Sequence, residues 1–426
     1  MSRTASGNMK KILYIISNPF SFSRRSVGGN ISSAGGVVNG FLSAGYHVDV
    51  ISDSPIPTLE ENSDTLITIS YPFRKFRSLI PYKVSGIIGR ILLKFDGIFF
   101  QWAMKLKVDS LVKANDYDFC YMRVSYNGHA IFKIVKKYKL DLVTEVNKPL
   151  SMGIYNNNDS MNWPNVGEIV KVPKSEILQY DASTVITIDS TLRAKWVLDF
   201  VNKSYKEKII INPNGVDVNM FSPVCCSDSI KKEINVTDAE IVIGVASSFR
   251  WYNDIYEMCQ IFQKVINSSD NIKFLVITGD NNKKTEIENY LSEFNIDHKV
   301  KILLQVPFKD MPIYLNCCDI LISHFNFHGK WPHNCSIKHL EYLSLGKPVV
   351  ATDVGEVNFA IEHNVNGILC NEGDVEGFAK SILTLSSDKL MRKKLGNAGR
   401  LKAVKELSWE KNTQRIVDAL ILNRNK

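Results

Sequence analysis

The sequence lacks the features of membrane-spanning, secreted and zinc-binding proteins. No apolar run in its 426 residues is long enough to cross a bilayer, which takes about 20 consecutive apolar residues. The first ten residues are polar and contain no apolar signal segment, so we expect a cytoplasmic protein. The eight cysteines form no C-x-x-C pair, a pattern that fits neither zinc nor a secreted disulfide framework. We therefore expect reduced, buried thiols.

Acidic residues are scarce in the N-terminal half. Residues 1–210 contain 27 Lys or Arg and 18 Asp or Glu, a net charge of +9, whereas the whole chain carries +8 and the remainder therefore −1. This asymmetry predicts an anionic partner for the N-terminal half. The alternative is that these lysines only solvate the surface.

Residues 74–107 concentrate the positive charge, with eight Lys or Arg and one acidic residue. Apolar residues recur there at the helical period, at Val84, Ile87, Ile88, Ile91, Phe95, Ile98, Phe99, Trp102 and Leu106. Basic residues lie on the opposite stripe, at Lys83, Arg90, Lys94 and Lys105. The pattern predicts either a helix that contacts an anionic membrane or an ordinary helix with a packed apolar side and a solvated basic side. We favour the ordinary packed helix.

Short apolar runs alternate with helical patterns along the whole chain. An apolar run at 12–17, a loop with Gly28 and Gly29, a helical pattern at 34–44 and a second run at 47–52 form a βαβ pattern. The alternation resumes in the second half, with apolar runs at 240–245, 274–280, 300–304 and 319–323. The sequence therefore predicts an α/β fold with parallel sheets.

One stretch in the C-terminal half combines a short helix with groups that suit a nucleotide. Asn334 or Ser336 can cap this helix, and Gly346 follows where it should stop. The free N–H groups and the dipole at the helix start suit a phosphate. Lys338 adds a positive charge one turn in, and Glu341 can accept hydrogen bonds from sugar hydroxyls.

The pattern S-x-K-x-x-E-Y-x-x-x-G-K-P-V-V-A-T at 336–352 resembles the donor-binding helix of glycosyltransferase family 4. That family has the two-domain GT-B fold and a retaining mechanism, and its hallmark is two glutamates separated by seven residues. The second glutamate corresponds to Glu341, and the first falls on His333. The motif is half present, and we expect His333 to affect the sugar specificity.

Three other segments resemble the same family: E-V-N-K-P-L at 145–150, P-N-G-V-D at 213–217 and S-W-E at 408–410. The resemblance implies two Rossmann-like domains that face each other across a cleft, with the acceptor domain at 9–205 and the nucleotide-sugar donor domain at 206–407. It also implies that the terminal helix at 408–426 crosses back to the first domain.

The resemblance further implies roles for individual residues. The residues implied in donor binding are Gly28, Gly29, Ser336, Ile337 and Glu341, of which Glu341 would hold the ribose. The residues implied at the reacting centre are Asn147, Arg250, Lys338 and His333. Arg250 and Lys338 would stabilise the leaving diphosphate, and His333 would contact the sugar. Asn253 lies where the family has a lysine, so we expect Lys338 to supply that charge.

The implied reaction is the retaining transfer of a hexose from a UDP- or GDP-linked sugar to an acceptor hydroxyl, in bacterial surface polysaccharide or glycolipid synthesis. The implied partners are the donor and a glycan or lipid-linked acceptor, with no nucleic acid. The basic N-terminal half and the stretch 74–107 add the expectation of peripheral contact with an anionic inner membrane. No cofactor or metal is expected; His324, His328 and His333 share a loop, but no carboxylate accompanies them in sequence. Two alternatives remain: a GT-B UDP-sugar epimerase and a catalytically idle subunit that binds nucleotide-sugars.

Overall fold

The computed structural model describes residues 10–16, 29–52, 66–68, 87–124, 129–156, 163–164, 168–328 and 336–425. They form two units, each with its own parallel sheet. The first contains the first strand, Asn30–Pro213 and Asn412–Lys426, and the second contains Asn214–Lys411. The units thus divide after 213 and 411, while the sequence places the domain boundaries after 205 and 407.

Seven parallel strands form the sheet of the first unit, in the order β3-β2-β1-β4-β5-β6-β7. In chain order they are β1 Lys11–Ile15, β2 His47–Ser52, β3 Leu66–Thr68, β4 Phe119–Arg123, β5 Leu142–Val146, β6 Val185–Ile188 and β7 Ile209–Ile211. Strands β5 and β6 are buried along their whole length, as expected for a parallel sheet with helices on both faces.

The described helices of the first unit that precede its last strand are α1 Gly29–Ser43, α2 Ile87–Ala114, α3 His129–Lys137, α4 Leu150–Tyr155, α5 Lys174–Ala182 and α6 Thr191–Trp196. Helix α1 covers the helix predicted at 34–44, and Gly45 follows it with φ +83°. This left-handed conformation is the one that glycine adopts without steric cost, so Gly45 ends the helix as the sequence predicts.

Six parallel strands form the second sheet, in the order β10-β9-β8-β11-β12-β13. They are β8 Ile241–Ala246, β9 Ile272–Thr278, β10 Val300–Leu304, β11 Ile320–Ser323, β12 Val349–Thr352 and β13 Gly367–Cys370. The helices are α7 Asp228–Glu233, α8 Ile255–Ser268, α9 Asn281–Glu293, α10 Met311–Asn316, α11 Ile337–Ser344, α12 Val375–Ser387 and α13 Lys389–Lys402. Two successive residues of β8, Val242 and Ile243, enter two different apolar clusters, because successive side chains of a strand point to opposite faces.

The last helix, α14 Trp409–Arg424, returns to the first unit. Asn412 Nδ2 donates to Pro213 O at 2.7 Å, and Arg415 Nε donates to Asn212 Oδ1 at 2.8 Å. Near its end, Arg424 Nε donates to Asp141 Oδ2 at 2.6 Å. The predicted return of the terminal helix to the first domain is therefore confirmed.

The cysteines differ from the prediction at one pair and at Cys225, which is a free thiol but is exposed rather than buried. Cys226 and Cys317 form a disulfide, so the expectation of reduced thiols is wrong for these two residues. Their separation of 91 residues in sequence hides the contact from any spacing argument. Four other cysteines are buried thiols, as predicted: Cys120, Cys259, Cys318 and Cys370.

Helix α2 differs from the favoured interpretation of its apolar stripe. Phe100, Met104 and Val108 are fully buried in the core, and Phe99, which belongs to the predicted stripe, packs against the same cluster while partly buried. Ile98, Trp102 and Leu106, which belong to the predicted stripe, are instead 62%, 59% and 50% exposed. The expectation that the stripe packs inward is therefore wrong for these three residues. Among the described residues, no helix combines the length and apolarity needed to span a bilayer.

Candidate functional site

The second sheet has a switch point between β8 and β11, where the strand order reverses. Ligands of open parallel sheets bind at the carboxyl ends of the strands beside such a point. The loops that follow these two strands are joined by hydrogen bonds. Asn253 Nδ2 donates to His324 O at 3.1 Å, and Asn326 N donates to Tyr252 O at 2.9 Å. The two loops therefore form one connected edge.

Helix α11 is attached to the same edge by two of its side chains. Lys338 Nζ donates to Ser247 Oγ at 3.1 Å, directly after β8. One turn later, the Tyr342 hydroxyl accepts from Ala246 N at 2.9 Å. Leu340 and Leu343 are buried beneath the helix. Packing of this apolar face, which the sequence predicts, and the two hydrogen bonds together fix the first turn of α11 beside the switch point.

The start of α11 has the position that the sequence predicts but not the predicted cap. Ser336 precedes the helix with extended backbone, and its side chain makes no capping hydrogen bond to the first turn. The N–H groups of Ile337 and Lys338 therefore donate no hydrogen bond to this side chain. They are the kind of donors that bind phosphate oxygens at a helix N-terminus.

Lys338 and Glu341 are partly exposed. The surroundings of each side chain nevertheless disfavour its charged form. Burial lowers the pKa of Lys338 to about 8, although Glu341 opposes this shift. Burial raises the pKa of Glu341 to about 7, and Lys338 opposes that shift. No residue of the described ranges donates a hydrogen bond to the Glu341 carboxylate. The helix thus offers one cation and one free acceptor a single turn apart.

His339, between these two residues, belongs to the core. Its Nε2 lies 2.8 Å from Ser323 Oγ, and only 2% of the residue is exposed. Burial, together with the neighbouring charge of Lys338, lowers the pKa of His339 to about 3. The ring is therefore neutral and serves packing rather than proton transfer.

Four aromatic residues line the two strand-end loops, and the sequence argument missed them. Lys338 Nζ lies 4.9 Å from the centre of the Phe325 ring, within the range of a cation–π contact. Tyr252 contacts Phe325 and stacks on Phe327, with ring centres 5.7 Å and 5.2 Å apart. Trp251 continues the row and is 40% exposed. The concentration of aromatic residues at 251–252 and 325–327 is the sequence signal that could have identified this aromatic cluster.

Arg250 and Asn253 lie in the loop after β8, but they differ in burial and contacts. The Arg250 guanidinium is exposed and makes no hydrogen bond to any residue in the described part of the chain. Asn253 is 8% exposed, and its Oδ1 accepts from Ser247 Oγ and from Arg250 N, each at 3.2 Å. At the position where the family has a lysine, this protein therefore has a buried asparagine that joins the loops after β8 and β11 through hydrogen bonds.

The first sheet has its own switch point, between β1 and β4. A buried network occupies its carboxyl end, where Arg123 Nε donates to Glu145 Oε2 at 2.9 Å and Arg123 Nη2 donates to Ser33 Oγ at 2.8 Å. Asn147 follows β5 and is partly exposed. Glu176 fixes the next turn, because its carboxylate accepts from Leu150 N and Ser151 N at 3.1 and 2.8 Å.

The structure gathers most of the predicted donor-site residues. Ser336, Ile337, Lys338 and Glu341 share the start of α11, and Arg250 follows β8 at the same edge of the sheet. Asn147 lies in the first unit. Gly29 is the first residue of α1, whereas Gly28 and His333 lie outside the described residues.

Carboxylates accompany the two described histidines of the loop after β11, contrary to expectation. His324 Nε2 lies 3.3 Å from Glu257 Oε1, and His328 Nε2 lies 3.6 Å from Asp254 Oδ2. These are two separate pairs. Across the described ranges, no group of three or more His, Cys, Asp or Glu has an arrangement that could hold a metal ion.

Residues 227–402 match the family model described as glycosyl transferases group 1. The matched residues make up most of the second unit, Asn214–Lys411. This confirms the resemblance at the level of group 1, while the family number 4 remains a prediction. Helix α11 and both strand-end loops lie inside the matched residues, together with Lys338 and Glu341.

Three relatives share part of this chain. N-acetyl-alpha-D-glucosaminyl L-malate synthase of Bacillus anthracis is 24% identical over 43% of this chain and 45% of its own. GDP-mannose-dependent monoacylated alpha-(1-6)-phosphatidylinositol monomannoside mannosyltransferase of Corynebacterium glutamicum is 24% identical over 49% and 55%. UDP-Gal:alpha-D-GlcNAc-diphosphoundecaprenol alpha-1,3-galactosyltransferase of Escherichia coli is 23% identical over 50% and 54%. The matches span about half of each relative's length.

Solved structures resemble the chain over nearly its whole length. A glycosyltransferase from Rickettsia africae has a TM-score of 0.71 at 15% identity, covering 98% of this chain and 100% of its own. Anabaena HepE, solved in complex with UDP-glucose, has a TM-score of 0.67 at 16% identity, covering 97% and 99%. At these identities the likeness shows the fold alone. It confirms the predicted α/β fold of the GT-B class, with two Rossmann-like units.

Proposed function

We propose that this chain is a retaining glycosyltransferase that takes a hexose from a UDP- or GDP-linked donor. The observation that carries the proposal is the Lys338–Glu341 pair on the first turn of α11, at the switch point of a group 1 domain. A diphosphate suits Lys338 and the uncapped N–H groups beside it. Ribose hydroxyls suit the free Glu341 carboxylate.

In the proposed reaction, negative charge grows on the diphosphate as the bond to the sugar breaks. Lys338 is held by Ser247 and needs little rearrangement to stabilise that charge. The exposed Arg250 is proposed to assist, and His333 to contact the sugar. Asn147, in the first unit, is proposed for the acceptor side. Because the chain's own cations neutralise the leaving group, we propose a reaction without a metal or other cofactor.

We propose a lipid-linked or glycan acceptor, in bacterial surface polysaccharide or glycolipid synthesis at the cytoplasmic face of the membrane. Two relatives are named for acceptors carried on lipids, a phosphatidylinositol monomannoside and a diphosphoundecaprenol. The positive charge of residues 1–210 supports an anionic partner of this kind.

A donor panel tests the nucleotide assignment. Thermal shift of the full chain with UDP- and GDP-sugars should find a donor whose binding is weakened about 10- to 100-fold by Glu341→Gln, since a hydrogen bond to a charged group contributes about 1.5–3 kcal/mol. Glu293→Gln, an exposed carboxylate on α9, is the matched control and should bind normally. The absence of a shift with every UDP- and GDP-sugar would contradict the assignment.

Product analysis then separates the reaction classes. With a lipid-linked acceptor present, the glycan product should keep the anomeric configuration of the donor, which NMR reports directly. Conversion of a UDP-sugar into another free UDP-sugar without acceptor would instead identify an epimerase. Tight binding without turnover on any acceptor would identify a nucleotide-sugar-binding subunit.

A further inference from the structure

Helix α2 carries apolar side chains on two opposite sides. Phe100, Met104 and Val108 are fully buried in the core of the first unit. Ile98, Trp102 and Leu106, which we name the outer ridge, are at least half exposed, at 62%, 59% and 50%. The two sets are offset by two positions, about 200° around a helix. The outer ridge is therefore a continuous apolar line that faces away from the core.

The outer ridge is flanked by positive charge. Lys105 and Lys107 lie on either side of Leu106 in sequence, and both are exposed. The acidic residue that follows, Asp109, is already paired: its carboxylate lies 2.6 Å from Lys113 Nζ and 3.7 Å from Lys137 Nζ. The side of α2 that carries the ridge therefore combines exposed apolar groups with two lysines that form no ion pair within the described part of the chain.

The neighbouring helix extends this basic surface. Helix α3 packs its Ile131 and Ile134 into the same core cluster as α2 and leaves Lys133 and Lys136 exposed. In sequence, the stretch 74–107 adds six further Lys or Arg upstream of the ridge lysines and one acidic residue. In sequence, the positive charge therefore continues upstream of the ridge.

We propose that the outer ridge docks peripherally on the surface of an anionic lipid bilayer. Ile, Trp and Leu enter the boundary between headgroups and acyl chains, and Trp prefers that depth. Lysines on the flanks of such a helix meet the lipid phosphates. A second copy of this chain is a poorer occupant, because a symmetric contact through the ridge would bring together two copies of the half that carries a net charge of +9.

The docking surface is independent of the proposed donor site, since it lies on a different unit and vesicle binding requires no nucleotide-sugar. If the acceptor is carried on lipid, docking would hold the first unit at the membrane that contains it. Failure of vesicle binding would leave the donor assignment intact, and failure of donor binding would leave the docking surface intact.

Co-sedimentation of the full chain with vesicles tests the proposal. At low salt, the chain should bind vesicles of phosphatidylglycerol mixed with phosphatidylcholine and should not bind pure phosphatidylcholine. The combined variant Ile98→Ser, Trp102→Ser, Leu106→Ser should lose at least about tenfold in partitioning, because its apolar anchor is removed. Replacing both Lys105 and Lys107 with Gln should weaken binding about fivefold per lysine and flatten its salt dependence.

The matched control replaces exposed apolar residues of the second unit, Leu390→Ser with Leu401→Ser, which are 81% and 55% exposed. This control should bind vesicles like the wild type. All variants should unfold at the wild-type temperature, since the replaced side chains are exposed. If the triple variant fails to fold, brominated lipid should still quench the fluorescence of the wild type more than that of Trp102→Phe.

Three results would overturn the proposal. They are equal binding by the wild type and the ridge variant, equal binding of the wild type to anionic and neutral vesicles, and a wild-type dimer in gel filtration that the ridge variant dissociates while no vesicle binding occurs.

Discussion

Lys338 and Glu341 both destabilise a protein that has no ligand bound. Burial lowers the pKa of Lys338 and raises that of Glu341, so each charged form is disfavoured in the folded state. They are three residues apart on α11, but no ion pair joins them among the described residues. Charged groups retained at such a cost are typical of binding sites. A diphosphate and a ribose would supply the missing partners.

The same two pKa values predict how donor affinity depends on pH. Glu341 accepts as a carboxylate only above its pKa, raised to about 7, and Lys338 keeps its charge only below its pKa, lowered to about 8. The affinity for the nucleotide diphosphate should therefore peak between these values and fall on both sides. Because a bound diphosphate raises the pKa of Lys338, binding at the alkaline side should take up a proton. Calorimetry in buffers of different ionisation enthalpy measures this uptake.

Lys338→Arg provides the control for the alkaline side. Arginine stays charged throughout this range, so the variant should lose the alkaline fall in affinity and the proton uptake while keeping the acidic fall. Lys393→Arg, an exposed lysine on α13, should behave like the wild type. An unchanged alkaline fall in Lys338→Arg would assign the titration to another group.

At the scale of elements, the site depends on how strand-end loops are joined. Ser247 accepts from Lys338 and donates to Asn253, which also donates to His324 O. One buried amide thus links the loop after β8, the loop after β11 and the first turn of α11. The sequence showed only that Asn253 lacks the charge of the family's lysine at this position. The structure shows that Asn253 positions the two loops.

Asn253→Ala should therefore weaken both the fold and donor binding. The substitution removes the hydrogen bonds that Asn253 makes with Ser247 Oγ, Arg250 N and His324 O, at about 1–3 kcal/mol for each group left unsatisfied. Asn253→Lys should be at least as destabilising, because the site is 8% exposed and offers no carboxylate. The measurements are the unfolding temperature and the dissociation constant of the donor. Tighter donor binding by a stable Asn253→Lys protein would contradict the positioning role.

Helix α2 shows where sequence periodicity stops being informative. The periodicity identifies residues that share one side of a helix, and Ile98, Trp102 and Leu106 do share one side. It does not identify which side faces the core when a second apolar set, Phe100 and Met104, lies opposite. Only the neighbouring elements decide this, and they bury the second set.

For the whole molecule, local patterns predicted most of the strands, the helix after Ser336 and its stop at Gly346, since these depend on neighbouring residues. The strand Leu66–Thr68 was not predicted. Contacts between distant residues were not predictable from one sequence. The Cys226–Cys317 disulfide spans 91 residues, and the Asn253–His324 hydrogen bond joins loops of two different strands. The sequence does show the aromatic residues at 251–252 and 325–327, but the contacts of Tyr252 with Phe325 and Phe327 join the two loops and were not predictable.

The return of α14 to the first unit gives a prediction for the whole molecule. Ile416 and Leu420 are 0% and 2% exposed, and Asn412, Arg415 and Arg424 donate hydrogen bonds to the first unit. Removing 412–426 should therefore destabilise the first unit by several kcal/mol, with about 1.5–3 kcal/mol for each buried aliphatic side chain. The second unit, which has its own core clusters, should keep its transition.

Differential scanning calorimetry with and without UDP or GDP measures the transition temperature of each unit. Because the proposed donor site lies in the second unit, the nucleotide should raise only that unit's transition temperature. In the truncated chain, the nucleotide-sensitive transition should remain while the other moves to lower temperature or disappears. Removal of 425–426 alone is the control, since the core contacts at Ile416 and Leu420 remain. Loss of the nucleotide-sensitive transition on truncation at 411 would instead show that the terminal helix stabilises the donor unit. The return of α14 would then be as important for nucleotide binding as for the first unit.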